Sequence, residues 1–350
     1  MGRLPRPDLS KVDPAVREYI EALEAQLGLK TTRQEQAPEP AVVEELEPSE
    51  LATTLNLITL STKDLIKRAP RHEYLRQRRG GMGIFGLDTA RDEQPAILSI
   101  ADENQGLLIF TNMARAFRLP ASRIEVKPVH ARGEPLAAML TLELGEYPIA
   151  VLPEQATGYV TMVSQTGVVR CLRHHLFGNS MKPGTTFFTV KETGPMVAAC
   201  WTTGSADLLI STRKGLSVRF PEKSVNPRGE AGIRLSGDDA IIAVTGVEED
   251  SLVFFAGADG KGTLRSMTGF VANKAPGGGG KIAMKTDKMI AATAVNLDDD
   301  IFIVSALGKI IRFKANEIPT TEGVVQGVIC INMRLDEAVT AIRSKPVSNR

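Results

Sequence analysis

One pattern of strands and turns returns six times between Leu57 and the C-terminal region, and few folds are open to a chain built this way. In each copy a short apolar run rich in β-formers leads into a polar turn, and a second β-rich stretch follows. The first runs lie at 57–60, 107–110, 159–163, 208–210, 252–255 and 301–304. The turn residues align at Asp64, Ala114, Gly167, Gly215, Gly260 and Gly308, spaced 45 to 53 residues apart. Strand–turn–strand content at such a period marks a β-propeller-like array. A unit of about 48 residues holds four short strands, one blade, and closing the blades into a ring removes exposed sheet edges. A glycine-bearing loop recurs later in every copy, at 80–83, 133, 184, 229–232, 277–280 and 323–327. Apolar residues make up 43% of the chain and aromatics only 5%, so the core rests on Val, Ile and Leu.

Each second stretch also carries a basic residue: Lys67 and Arg68, then Arg118, Arg170, Arg219, Arg265 and Arg312. One strand arginine alone reads as a solvated face or a cross-strand ion pair. Six at one structural address predict a ring of cations on the outer wall of a disc, a surface that a polyanion can follow. The formal net charge of +1 conceals this. Residues 1–56 hold six basic and eleven acidic side chains, a sum of −5, and 57–350 hold 36 and 30, a sum of +6.

The leading part reads as a helical segment, 1–30, and an acidic linker, 31–56. Asp13-Pro14 suits a helix start, Val16, Ile20, Leu23 and Leu27 recur at helical spacing, and Gly28 is a stop. The stripe either docks on its own domain or meets a partner. The linker is rich in Glu, Gln, Pro and Thr. It serves as a solubilising spacer, or its carboxylates Glu44, Glu45, Glu47 and Glu50 fold back onto the basic ring and compete with its ligand.

The most specific segment is the heptapeptide at 77–83, Gln77, Arg78, Arg79, Gly80, Gly81, Met82 and Gly83. Three glycines within four positions allow left-handed backbone and a nest of amides that binds anions, and paired arginines suit phosphate. Here the chain resembles the C-terminal domain of the DNA gyrase A protein, whose hallmark reads Gln-Arg-Arg-Gly-Gly-Lys-Gly. Six of seven positions match, and Met82 replaces the lysine. Residues 66–70 and Tyr74 resemble the family's first repeat, and 211–220 with 229–234 resemble it again, so the likeness spans about 57–345. It implies an all-β, six-bladed β-pinwheel over 57–350, in which neighbouring blades exchange strands. It also implies duplex DNA bent around a basic rim, with Gln77, Arg78, Arg79, Gly80, Gly81 and Gly83 near the junction of first and last blades completing the wrap. Losing a cation at Met82 implies a weaker wrap.

The resemblance is to a non-catalytic domain. The family's breakage–reunion core carries a tyrosine beside an arginine, and none of Tyr19, Tyr74, Tyr147 and Tyr159 follows an Arg. The expectation is a free-standing, non-enzymatic DNA-bending protein, cytoplasmic and nucleoid-associated, without cofactor or metal. The alternatives are a propeller scaffold for proteins, or an accessory protein docking on a gyrase or topoisomerase IV core through the N-terminal helix. No apolar run approaches a membrane span. Around Gly279-Gly280-Lys281 the phosphate-loop pattern fails at Ala275 and Ile282. His174-His175, read as strand residues, face opposite ways. Asp298-Asp299-Asp300 reads as a polar turn between blades. Cys171, Cys200 and Cys330 are too few and too scattered for a disulfide framework or a zinc site.

Overall fold

The computed structural model describes Asp13, Pro14, 16–20, 22–23, 50–90 and 92–346. The chain divides into two units, Met1–Glu47 and Pro48–Arg350. In the first, Pro14, 16–20 and 22–23 are helical, and the Arg17 amide donates to the Asp13 carbonyl at 2.9 Å. Val16, Tyr19 and Leu23 are exposed. Residues 31–49 of the expected linker lie outside the described residues. No helix among the described residues is long and apolar enough to cross a membrane.

The second unit is a ring of six antiparallel blades. Each blade has three full strands: Leu55–Ser61, Leu65–Pro70 and Pro95–Asp102 in the first; Gly106–Thr111, Arg115–Pro120 and Pro148–Pro153 in the second; Tyr159–Ser164, Val168–Arg173 and Met196–Thr202 in the third. The fourth has Asp207–Thr212, Leu216–Pro221 and Ile241–Val247; the fifth Leu252–Gly257, Lys261–Ser266 and Met289–Val295; the sixth Asp300–Ser305, Lys309–Lys314 and Ala338–Ser344. Third strands line the centre, each packed on the next, and Ala338–Ser344 returns to pack on Pro95–Asp102.

The outermost strand of each blade is borrowed. The connection between a blade's second and third strands crosses to the preceding blade and adds a two-residue strand there. Glu134–Pro135 of blade two completes blade one, Thr185–Thr186 completes blade two, and so on round the ring. Blade five receives Thr320–Thr321 in parallel pairing and Val328–Ile329 in antiparallel pairing. The circle closes when Ile84–Phe85, from blade one, pairs with Lys309–Lys314 of blade six. Fold class and strand exchange follow the expectation from the resemblance.

The hairpins repeat in atomic detail. All six aligned turn residues have positive φ, including the non-glycines Asp64 at 56° and Ala114 at 58°. Each donates its amide to the carbonyl three residues back, for example Gly215 to Thr212 at 3.1 Å and Gly308 to Ser305 at 3.0 Å. Five turns are tied again by a hydroxyl four residues before the second strand: Ser61, Thr111, Ser164, Thr212 and Ser305 accept from the amides of Leu65, Arg115, Val168, Leu216 and Lys309. Blade five has Gly257 there. A bulge falls at the same point of the pairing with the third strand in all six blades, which adds twist.

Each apolar cluster is shared by two successive blades, as in Ile58, Leu60, Ile109 and Phe117 between the first two. No blade therefore buries its faces alone. The junction of blades six and one has the smallest cluster, with seven buried members (among them Leu57, Tyr74, Phe302 and Ile310) against ten to fifteen elsewhere. Charge is concentrated there instead. Arg312 of blade six donates Nε to Asp300 at 2.9 Å and Nη2 to Glu50 at 2.8 Å. Arg71 of blade one donates Nε to Glu50 at 2.9 Å, and Arg76 donates Nε to Asp300 at 3.1 Å. Asp299 and Asp300 are fully buried ion-pair acceptors, Asp299 for Arg343, so the run 298–300 is more than a polar turn. His174 and His175 sit in the 3-10 turn His174–Phe177, not in a strand, with rings edge to face at 5.9 Å. The three cysteines are free, Cys330 buried and the others half-buried.

Gly308 belongs to this junction, and a Cβ on it would meet the Leu87 carbonyl oxygen at 2.3 Å. Gly308→Ala combines that clash with a left-handed backbone and is expected to cost about 2 kcal/mol, read by denaturant unfolding. A second outcome concerns acid. Burial pushes the Glu50 carboxyl up, but the hydrogen bonds from Arg71 and Arg312 outweigh it and hold the group below its ordinary value. For Asp300 burial is likewise outweighed, chiefly by Arg312 and Arg76. Their stabilisation is present above the ordinary carboxylate range and lost as pH falls through the lowered values. Melting temperature should therefore drop below about pH 4, and less steeply in Glu50→Gln.

Candidate nucleic-acid interface

The strand cations do not form an exposed ring. Lys67, Arg68, Arg219, Arg265 and Arg312 are buried, Arg170 is half-buried, and the Arg118 side chain is 32% exposed. Nor do they share one address. Arg68, Arg118, Arg219 and Arg312 occupy the same register, opposite Ile58, Leu108, Leu209 and Phe302. In blades three and five that register holds Cys171 and Leu264, opposite Thr161 and Phe254. Lys67, Arg170 and Arg265 stand one residue off, and on a strand one residue turns a side chain to the other face.

What these cations share is a partner. Each of six reaches from its own blade into the connection of the next, the segment that carries the borrowed strand. Lys67 Nζ donates to the carbonyls of Val129 and of Ala131, the latter at 3.0 Å, and Arg68 Nε to Ile124 at 3.1 Å. Arg118 donates to Asn179, and Arg170 Nε to the Pro227 carbonyl at 3.0 Å. Arg219 Nη1 donates to Met267 at 2.8 Å and Phe270 at 3.1 Å, and Arg312 Nη1 to Arg71 and Tyr74, both at 3.1 Å. Arg265 instead ties down its own connection at Ile282 and Ala283, and its guanidinium lies 4.8 Å from the Phe270 ring centre. Burial lowers the Lys67 pKa to about 8, while three carbonyl acceptors favour its charged form. A ligand phosphate has no route to the five buried groups, so the outward-facing part of the expectation fails for them.

The heptapeptide sits at the ring junction, directly ahead of the closing strand Ile84–Phe85. The Gln77 amide donates to the Arg312 carbonyl at 2.8 Å and the Gly80 amide to Cys330 at 2.7 Å, while the Asn332 amide donates to Gly81 at 2.9 Å. Gln77 turns its side-chain oxygen inward to accept from the Gly83 amide at 3.3 Å. A Cβ on Gly83 would lie 2.8 Å from the Ile310 oxygen, so glycine is required for the segment to lie this close. The two arginines differ. Arg79 is engaged, with Nε donating to the Glu317 carbonyl at 2.7 Å and Nη1 to Ile329 at 3.2 Å. Arg78 is exposed and its side chain has no partner among the described residues. Met82 is 41% exposed.

The accessible cations lie elsewhere, on the connections that form the outer edge. Arg78, Arg123, Lys182, Arg228, Arg234 and Lys274 are exposed and lack acidic partners, and they span the connections of blades one to five. The connections of blades four and five run side by side, with the Arg234 amide donating to Gly278 at 2.9 Å and the Gly277 amide to Gly232 at 2.9 Å. The sixth connection, between Lys314 and Ala338, carries Glu317, Glu322, Asp336 and Glu337 against one basic residue, the exposed Arg334. That connection is the one the heptapeptide abuts. Sequence reading singled out Arg78 in the heptapeptide but missed the other five because they follow no period; the one available sign for them was the excess of basic residues after 57.

A six-bladed ring closed by strand exchange, with a glycine–arginine heptapeptide at its junction, defines a pinwheel. The family model described as DNA gyrase C-terminal domain, beta-propeller, matches residues 55–94, 206–247 and 299–344, that is blades one, four and six. The ring has the fold of the DNA gyrase A C-terminal domain, and three of its six blades match that family's model. The DNA gyrase A protein of Haloquadratum walsbyi is 26% identical over 308 residues, 83% of this chain and 36% of that protein. Its counterpart in Mycoplasma pneumoniae is 25% identical over 312 residues, 86% and 37% of the two chains. This chain thus spans about a third of the length of these relatives. A solved DNA gyrase A C-terminal domain superposes with a TM-score of 0.72 at 17% identity, covering 83% of this chain and 99% of that one.

The heptapeptide arginines should separate by experiment. Arg79→Ala removes charge-assisted bonds to two carbonyls and is expected to cost about 1–3 kcal/mol in chemical denaturation. Arg78→Ala should stay within about 0.5 kcal/mol of the parent.

Proposed function

We propose that this protein binds duplex DNA without catalysing its cleavage, bending it along the outer edge of the ring. The observation that carries the reading is the arc of exposed cations, without acidic partners among the described residues, on the connections of blades one to five, met at the junction by the heptapeptide. A phosphate backbone recognises such an arc by charge and spacing, and no base-reading helix is present among the described residues, so binding is largely independent of sequence. The sixth connection carries one basic residue, the exposed Arg334 near its end, and Arg78 is the exposed guanidinium of the heptapeptide beside it. Positive charge is sparse there, which makes the wrap partial. Bending a 20–30 base-pair site by 40–90° costs on the order of 1–6 kcal/mol, which several phosphate contacts offset. Its place of action is the cytoplasm, on the nucleoid, in DNA topology.

The test is duplex binding by fluorescence anisotropy from 50 to 200 mM salt. A log–log slope that steepens with the number of phosphates contacted is expected, and absence of binding at 50 mM overturns the proposal. Arg78→Ala and Lys274→Ala should each flatten the slope by about one, and Met82→Lys should steepen it by about one.

A further inference from the structure

We infer that Glu50, in the acidic segment ahead of the first blade, is a positioning residue that locks the ring junction and through it sets the heptapeptide in place. Its carboxylate lies between two arginines from opposite sides of the junction, Arg71 of blade one and Arg312 of blade six, whose side chains are both 0% exposed. Each guanidinium presents two nitrogens to it, with distances of 2.9 Å from Arg71 Nε and of 2.8 and 3.4 Å from Arg312. Among the described residues Glu50 is the carboxylate that meets both: Asp300 pairs with Arg312, Arg76 and Lys314, and Arg71 turns its remaining nitrogen to Ser344 and the Lys345 carbonyl.

The route from Glu50 to the heptapeptide is short. Arg312 holds the carbonyls of Arg71 and Tyr74, and its own carbonyl receives the Gln77 amide. Arg76, one residue before the heptapeptide, is held by Asp300, the other acceptor of Arg312. Arg312 and its acid partner thus hold the segment at Arg71, Tyr74, Arg76 and Gln77, while Ser344 and the Lys345 carbonyl hold Arg71, and the Thr53 amide His72, from other sides. With Glu50 removed, the buried Arg71 guanidinium loses the carboxylate it faces, and Arg312 keeps Asp300. A charge without a counterion in a desolvated site moves away or draws in water. This happens at the junction with the smallest apolar cluster, where little else holds the faces together.

The Glu50 carboxylate therefore acts on the heptapeptide from within the junction: it engages the arginines beside that segment and not the exposed arc. Only the effect on DNA rests on the binding function proposed above.

The test is amide hydrogen exchange by mass spectrometry on the full chain, comparing the parent with Glu50→Gln, which keeps shape and loses charge, and Glu50→Ala. Exchange over 71–85 and 309–314 should rise at least tenfold while 159–173, on the far side of the ring, is unchanged. Unchanged exchange over 71–85 in Glu50→Ala overturns the proposal, and so does a uniform rise in all six blades, which means general destabilisation. The exchange reading needs no DNA and stands even if the duplex assay fails. Where duplex binds, Glu50→Gln should flatten the salt slope by about one, as Arg78→Ala does; a slope equal to the parent's, alongside loosened exchange, limits the residue to ring closure and overturns its role in setting the heptapeptide.

Discussion

Every blade of this ring is completed by its successor, and the rest of the structure follows from that loan. A two-residue strand makes too few ladder bonds to hold a long connection against the disc. The basic residues of the second strands supply the missing grip by reaching across to the carbonyls of the next connection. A guanidinium or ammonium is suited to this work, because its several donors can satisfy backbone oxygens buried where water does not reach. The buried cations of the ring thus serve the fold first.

This divides the charge of the ring into two populations with separate duties. Inner cations hold connections to strands and are matched by carbonyls or carboxylates, as at Arg219 with Asp207 and Glu249. Outer cations sit on the connections so held and lack acidic partners. Rigid placement of the outer set depends on the inner one, so removing an inner cation disturbs a surface it never touches.

The fold was readable in the chain to the level of individual turns. All six aligned turn positions adopt left-handed backbone, although two are not glycine, because turn geometry recurs wherever strand pairing recurs. The heptapeptide was readable as well, since close backbone approach admits only glycine at Gly83. The duties of the arginines were not. A residue's type and period do not say which carbonyl it meets, and a shift of one residue, as at Arg170, reverses its face. Asp300 and Glu50 were hidden for a related reason: a carboxylate in a polar run looks solvated until the chain brings buried arginines from 12 and 262 residues away.

The borrowed strand that closes the circle, Ile84–Phe85, belongs to the first blade and pairs with the last. On a ribosome the other loans are settled as soon as the following blade emerges. This one is made first and waits until Lys309–Lys314 has been synthesised, so the nascent chain carries the heptapeptide unplaced while the other five blades are made. An unpaired edge of that kind invites pairing with other chains. Its two-residue length, with Arg78 and Arg79 just ahead, leaves little template for such an encounter.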